Sequence, residues 1–327
     1  MESRSVVAQL TQALRFDGLW WRKFAYLGCV YGPEWWKRYS PPAIAAIIFA
    51  LIGPNRRGAV GNLERILGEA NPWRTRAAAL RMFAQFAHCL TETMEYYGPR
   101  PRSIRLDLPT HDPLAASLRD GRGAVVVTGH FGNWDIAAKT LRDYDRPINI
   151  VMAREVNATT QEYVRTAREQ VGVRVLYSDT SVFSSLNMIR ALRANEIVAI
   201  QLDRMLGPGG ARMIPFFGAA APFPSGPFVL ARLARAPVVP VFIPRLGTRH
   251  YAVRVGQRFR LSRDARDHHA LDHVMTEVVA EFEAIVREFP TQWFQFAPFW
   301  PAAAQPAVAL PAQAPADDVA ERRRVRR

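Results

Sequence analysis

The chain has 327 residues, 49% of them apolar and 22% charged, with a formal net charge of +14; this is enough to bury a core in one or two domains and excludes a disordered tail. The positive excess is nearly all arginine and suits an anionic partner: a phospholipid surface, a phosphorylated substrate or an acidic carrier protein. Nucleic acid is not expected, because no zinc-finger spacing, basic heptad array or aromatic RNA-binding signature occurs.

The first residues, MESRSVVAQLTQALRFDG, lack the charged, apolar and small-residue order of a secretory signal. The two cysteines, Cys29 and Cys89, give no ligand spacing and no disulfide framework, which fits a reducing compartment, and the cytoplasm is expected. Residues 1–60 gather Trp20, Trp21, Tyr26, Tyr31, Trp35, Trp36 and Tyr39 around the apolar run Ala43 to Gly53. That run is about half the ~20 residues a spanning helix needs. Aromatics beside basic residues suit a bilayer interface, so a helical segment lying on a membrane is expected here, with packing against the rest of the domain as the alternative. From Arg74 to Tyr97 the apolar residues recur at three- and four-residue steps and predict an amphipathic helix.

After the break at Gly98 to Pro101, short β-rich runs at Ala124–Thr128, Ile148–Met152, Val173–Tyr177, Ile197–Leu202 and Val238–Ile243 alternate with helical stretches near 133–142, 159–171, 182–194 and 226–235. The alternation predicts an α/β fold with a mainly parallel central sheet flanked by helices, filling residues 61–300. Tyr251 to Phe259 reads as a later half-exposed strand and residues 268–288 as a long helix. The Ala/Pro-rich stretch 301–327, ending ERRRVRR, is expected to be a disordered basic tail that meets anionic lipid.

The chemistry is expected where VVVTG runs into HFGNWD. Ligands of open parallel sheets sit beyond the carboxyl ends of strands, and His130 stands there, with Gly129 and Gly132 allowing a tight turn. Asn133 can cap the next helix, which places Asp135 in its first turn, folded back toward the histidine. A carboxylate holding one ring nitrogen leaves the other to accept a proton, as general base catalysis requires. No G-x-S-x-G nucleophile is present, so the proton comes from a substrate hydroxyl or from water. The bland alternative is a histidine and an aspartate that merely end a strand and cap a helix.

Further on, Arg154 at a strand end offers a forked donor for a phosphate or oxyanion. Asp203 and Arg204 end another strand and could bind an acceptor headgroup or form an internal salt bridge. Ser225 and Gly226 read first as a helix N-cap and second as an anion-binding helix start. Phe216, Phe217, Phe223 and Phe228 suit an acyl groove or ordinary core equally well. No metal is expected: His268, His269 and His273 hold an i, i+4 pair but no third ligand, and GPGGAR (Gly207–Arg212) lacks the setting of a nucleotide loop.

HFGNWD resembles the H-x4-D box of the glycerolipid acyltransferase superfamily, and in this form the lipid A late (lauroyl and myristoyl) acyltransferases. The likeness extends through VMAREVN, QLDR (Gln201–Arg204) and PFFGAAAPFPSGPFVLARLARAPVVPVFIPR (Pro215–Arg245). It also takes in RRGAVGNLERILGEANPWRTR (Arg56–Arg76) upstream and FPTQWFQFAPFW (Phe289–Trp300) downstream, so that roughly residues 50 to 300 are covered. The resemblance implies transfer of a fatty acyl group from a thioester, usually on acyl carrier protein, to a hydroxyl of a membrane glycolipid. No cofactor is implied beyond the acyl carrier protein or coenzyme A that carries the donor.

By position, the likeness makes His130 the base and Asp135 its orienting partner. Gly132, Asn133, Arg154, Asp203, Arg204, Ser225 and Gly226 would contact substrate, and amides after Gly132 would receive the oxyanion. QWFQFAPFW lacks the histidine-x-arginine ending of many lipid A enzymes and resembles relatives serving other glycolipids or biosynthetic clusters. The family's N-terminal membrane helix shrinks here to 43–53, so a peripheral attachment at the cytoplasmic face of the inner membrane is expected. Two other classes stay open: a thioesterase or lipid hydrolase in which His130 activates water, and a non-catalytic lipid- or carrier-binding module.

Overall fold

The computed structural model describes residues 19–68, 71–99, 101–136, 141, 144–152, 169, 172–178, 182–204, 210–262 and 268–301, with backbone alone for 19–24, 182–184 and 268. Among the described residues four helices come first: α1 (Leu19–Tyr31), α2 (Glu34–Leu51), α3 (Gly53–Leu67) and α4 (Pro72–Tyr96). The long α4 starts at Asn71, whose side chain accepts from the amides of Trp73 and Arg74, and Pro72 sits where a missing N–H costs nothing. Its buried face, Thr75, Ala78, Ala79, Met82 and Phe83 and then Cys89, Thr91, Glu92 and Glu95, turns polar toward its C-terminal end.

The remaining elements among the described residues are β1 (Arg105–Asp107), α5 (Pro113–Arg119), β2 (Ala124–Thr128), β3 (Ile148–Met152), β4 (Val173–Tyr177), α6 (Val182–Arg193), β5 (Ile197–Gln201), β6 (Ala211–Phe216), β7 (Ala219–Pro224), α7 (Gly226–Ala234), β8 (Val238–Phe242), β9 (Arg245–Gly247), β10 (His250–Ala252), β11 (Arg254–Val255), α8 (His268–Glu288) and a 3-10 turn, Pro290–Gln292. A six-stranded sheet has the order β11-β8-β2-β5-β3-β4. Neighbours in it are parallel except β11, which runs antiparallel to β8. Its centre is dry: Ala124 to Val127 and all five residues of β8 are buried, as β-branched runs covered on both faces require.

The expected single strand Tyr251–Phe259 is instead divided. Residues 250–252 pair with β1 and β9 in a small three-stranded sheet, Arg254 and Val255 pair with β8, and Phe259 bridges Val238. The chain changes sheets at Val253, which is itself buried.

The N-terminal helices are tied to the far end of the chain. Asn62 of α3 donates to the carbonyls of Gln295 and Ala297 and accepts from the amide of Phe299. Gly58 lies so close that a Cβ there would sit 2.3 Å from the Phe296 carbonyl oxygen. Among the described residues no single helix is long and apolar enough to cross a membrane; α2 and α3 meet the requirement together but are bent by 101°. Residues 1–18 and 302–327, and the side chains of Trp20 and Trp21, lie outside the described residues.

Candidate active site

His130 follows β2 by two residues, and Asp203 follows β5 by two. The strands are adjacent and parallel, with Thr128 opposite Gln201, so the two side chains emerge side by side from the carboxyl edge of the sheet. His130 Nδ1 lies 2.8 Å from Asp203 Oδ1. The other carboxylate oxygen accepts from the His130 amide and from the Trp293 indole, both at 2.8 Å. Gly129 permits this approach: a Cβ there would lie 2.6 Å from the Phe282 ring and 3.4 Å from Asp203 Oδ2.

Asp203 is buried, its side chain 1% exposed, while the His130 side chain keeps 12% exposure. Burial alone would push the Asp203 carboxyl upward. The attraction of a protonated His130 outweighs it, together with hydrogen bonds from the His130 ring, Trp293 and the His130 amide, and the carboxyl is held below its ordinary range. An ionised carboxylate only accepts, so Nδ1 carries a hydrogen in either form of the ring, and in the neutral form Nε2 holds the lone pair. The Trp134 ring meets the imidazole edge-on at 5.2 Å and leans on Phe294, and the His130 carbonyl accepts from the Phe294 amide. The histidine is therefore fixed on several sides and open on one.

The carboxylate at the imidazole is thus Asp203 and not Asp135. Asp135 lies in the helical turn that opens at Trp134, where its carbonyl accepts from the Tyr97 hydroxyl; a contact with the ring was expected from sequence proximity, and strand adjacency puts Asp203 on Nδ1 instead. Asp203 correspondingly faces inward and is not placed to hold a headgroup, whereas Arg204 beside it is exposed.

Asn133 also differs from expectation. Its side chain is buried, accepting from Thr93 and donating to the Cys89 carbonyl and the Tyr251 hydroxyl; it pins the loop to α4 and neither caps a helix nor faces a ligand. The Gly132 and Asn133 amides donate to the carbonyls of Gln292 and Ile243, so these two cannot receive an oxyanion. Gly132 has φ +56°, and a Cβ would meet the Ile243 oxygen at 2.0 Å; its part is the turn itself.

Ser225 precedes α7 but makes no side-chain cap; its buried hydroxyl donates to the Gly210 carbonyl. Gly226 is exposed at the helix start. Phe216, Phe217, Phe223 and Phe228 are all buried. Phe216 stacks on Phe282 and Trp300 and meets Trp293 edge-on, which makes these rings the packing behind Asp203 and not an open groove. Arg154 lies outside the described residues, as does most of GPGGAR; His269 and His273 are exposed on α8. Sequence reasoning assigned no role to Trp293, although its block, PTQW, was visible.

The pattern known as bacterial lipid A biosynthesis acyltransferase matches residues 10–301. A phosphatidylinositol mannoside acyltransferase of Mycolicibacterium smegmatis is 28% identical over 197 residues, 60% of this chain and 62% of that protein. A protein of the same description from Mycobacterium tuberculosis is 28% identical over 199 residues, 58% of this chain and 58% of its own. The matched stretch thus spans about three fifths of these relatives' length. With a family match over almost the whole length, the chain belongs to the bacterial lipid A biosynthesis acyltransferase family.

Proposed function

We propose that the protein moves a fatty acyl group from an acyl thioester to a hydroxyl of a membrane glycolipid, with His130 as general base. The observation that carries this reading is the His130–Asp203 contact at the carboxyl edge of the sheet. Nε2 takes the acceptor proton as the hydroxyl oxygen attacks the thioester carbonyl. Asp203 stays ionised and stabilises the imidazolium that forms. Collapse of the tetrahedral species breaks the C–S bond, and the departing thiolate takes the proton back, so an ester and a free thiol result and the enzyme returns to its starting state.

The family and the relatives' described acceptor support a glycolipid, either a lipid A precursor or a mannosylated phosphoinositide. The net charge of +14 suits an anionic thioester donor, acyl carrier protein or coenzyme A, both of which carry negative charge. Attachment is peripheral, at the cytoplasmic face of the inner membrane. Its basis is α2, where Trp35, Tyr39, Ile44, Ile47 and Leu51 are each between 45% and 64% exposed, an apolar row suited to lying in the headgroup layer.

The test supplies labelled acyl carrier protein thioester with a lipid extract and separates the products. Acylated glycolipid is the expected product, absent with His130→Ala. Free fatty acid alone would identify a hydrolase instead.

A further inference from the structure

A second hollow of about 450 Å³ opens where the first turns of α2 meet α4 and the β9–β10 turn. None of the residues that surround His130 lines it. Its floor is a set of ion pairs already closed on themselves. Lys37, buried, is 2.7 Å from Glu95, which also accepts from Arg249, and Arg249 reaches Glu34. Glu92 is matched by Arg245 at 2.8 Å. His88 is kept neutral, lowered to about 4 by burial and by the nearby Arg245 charge. A fatty chain finds no apolar floor here. A small anion finds its cations taken, because it would have to displace Glu95 from Lys37.

The rim differs from the floor. Trp35 and Tyr39 are each 62% exposed, and Arg38 lies over the Tyr39 ring at 5.7 Å with no carboxylate partner among the described residues. These three stand on the helix that carries the exposed apolar row, at the depth where lipid headgroups would lie. Fixed donors and acceptors on a neutral floor suit hydroxyl groups, which do both; aromatic faces suit the apolar face of a sugar ring; a free guanidinium suits one phosphate.

We infer that this hollow is a second headgroup site, taking the sugar of a phosphoglycolipid against Trp35 and Tyr39 and its phosphate on Arg38, apart from the acceptor hydroxyl that meets His130. The inference rests on the acyl-transfer reading for its choice of a membrane glycolipid. Its role is to hold the enzyme on membranes that carry the acceptor class.

The experiment measures co-sedimentation of the full chain with phosphatidylcholine vesicles holding equal fractions of phosphatidylinositol or of phosphatidylinositol mannoside. The mannosylated vesicles should bind about tenfold more tightly, a difference of 1.4 kcal/mol. The double variant Trp35→Ala, Tyr39→Ala should bring that ratio to about one, and Arg38→Gln should weaken binding to both inositol-phospholipid vesicles. Ile47→Ala should weaken binding to every vesicle and leave the ratio intact. Equal binding of the wild type to both inositol-phospholipid vesicles overturns the site, as does a ratio that survives the double variant. Acyl transfer is assayed on the same preparations: its absence with a preserved sugar preference refutes the transferase reading and leaves the site standing.

Discussion

Replacing Asp203 by Asn tests the site at its most specific point, because the change keeps shape and removes one acceptor. The carboxylate has three donors: the His130 ring on Oδ1, and the His130 amide and Trp293 indole on Oδ2. An asparagine has one acceptor oxygen. Its best placement keeps the oxygen on the two donors at Oδ2, since burying two unpaired N–H groups would cost about 1–3 kcal/mol each. The amide NH2 then faces Nδ1 and forces the ring to carry its hydrogen on Nε2. The base is left with no lone pair toward the substrate, and the charge that stabilised the imidazolium is gone.

Turnover should fall by about 10² to 10⁴-fold, the range general base catalysis supplies, while the fold is retained. Thioester consumption with acceptor lipid measures the rate, and nitrogen NMR of the histidine ring reports the tautomer. Wild-type turnover in Asp203→Asn, or a full loss in Asp135→Asn with none in Asp203→Asn, would refute the assignment.

Trp293→Phe removes one of the donors on Asp203 and should cost about tenfold in turnover with the aromatic packing kept; an unchanged rate would show that the indole hydrogen bond is idle. Gly132→Ala, at φ +56° with a carbonyl oxygen 2.0 Å from the new methyl, should destabilise the protein by at least about 3 kcal/mol in denaturant unfolding, and a loss below about 1 kcal/mol would contradict the close approach. Glu92→Gln leaves the Arg245 guanidinium, 9% exposed, without its counter-charge and should cost about 3–5 kcal/mol, read from the same titration. Because the folded Asp203 carboxyl sits below its ordinary value of 3.8, its stabilising contribution is complete above that value and is lost as the pH falls through the lower, folded one. The acid limb of the wild-type stability curve should therefore be steeper than that of Asp203→Asn, and parallel limbs would speak against the depressed carboxyl.

The strands from Ala124, Ile148 and Val173 stand where their β-branched runs placed them, as do α6, α7 and α8 within about a residue. The hairpin β6–β7 was not legible, because Pro215, Pro222 and Pro224 and a run of alanines read against a strand; a two-stranded ribbon tolerates them since it has no second neighbour to satisfy. The histidine could be found from its glycine flanks and its strand. Its partner could not, since it lies 73 residues away and only the pairing register of β2 with β5 brings it near. A longer separation, 90 residues from Asp203, hid Trp293. Asn133 was misread for a related reason: capping is the local habit of asparagine, and nothing nearby in sequence announces Thr93 or Tyr251.

The site draws its last pieces from the far end of the fold. Trp293 hydrogen-bonds Asp203, the Phe294 amide holds the His130 carbonyl, and Asn62 waits for residues 295–299. In a chain made from its N-terminus, the sheet edge and the first helices are synthesised long before these contacts exist. On the proposed reading, a nascent chain therefore gains its braced histidine only once this segment has emerged and docked, so every unfinished copy is inactive.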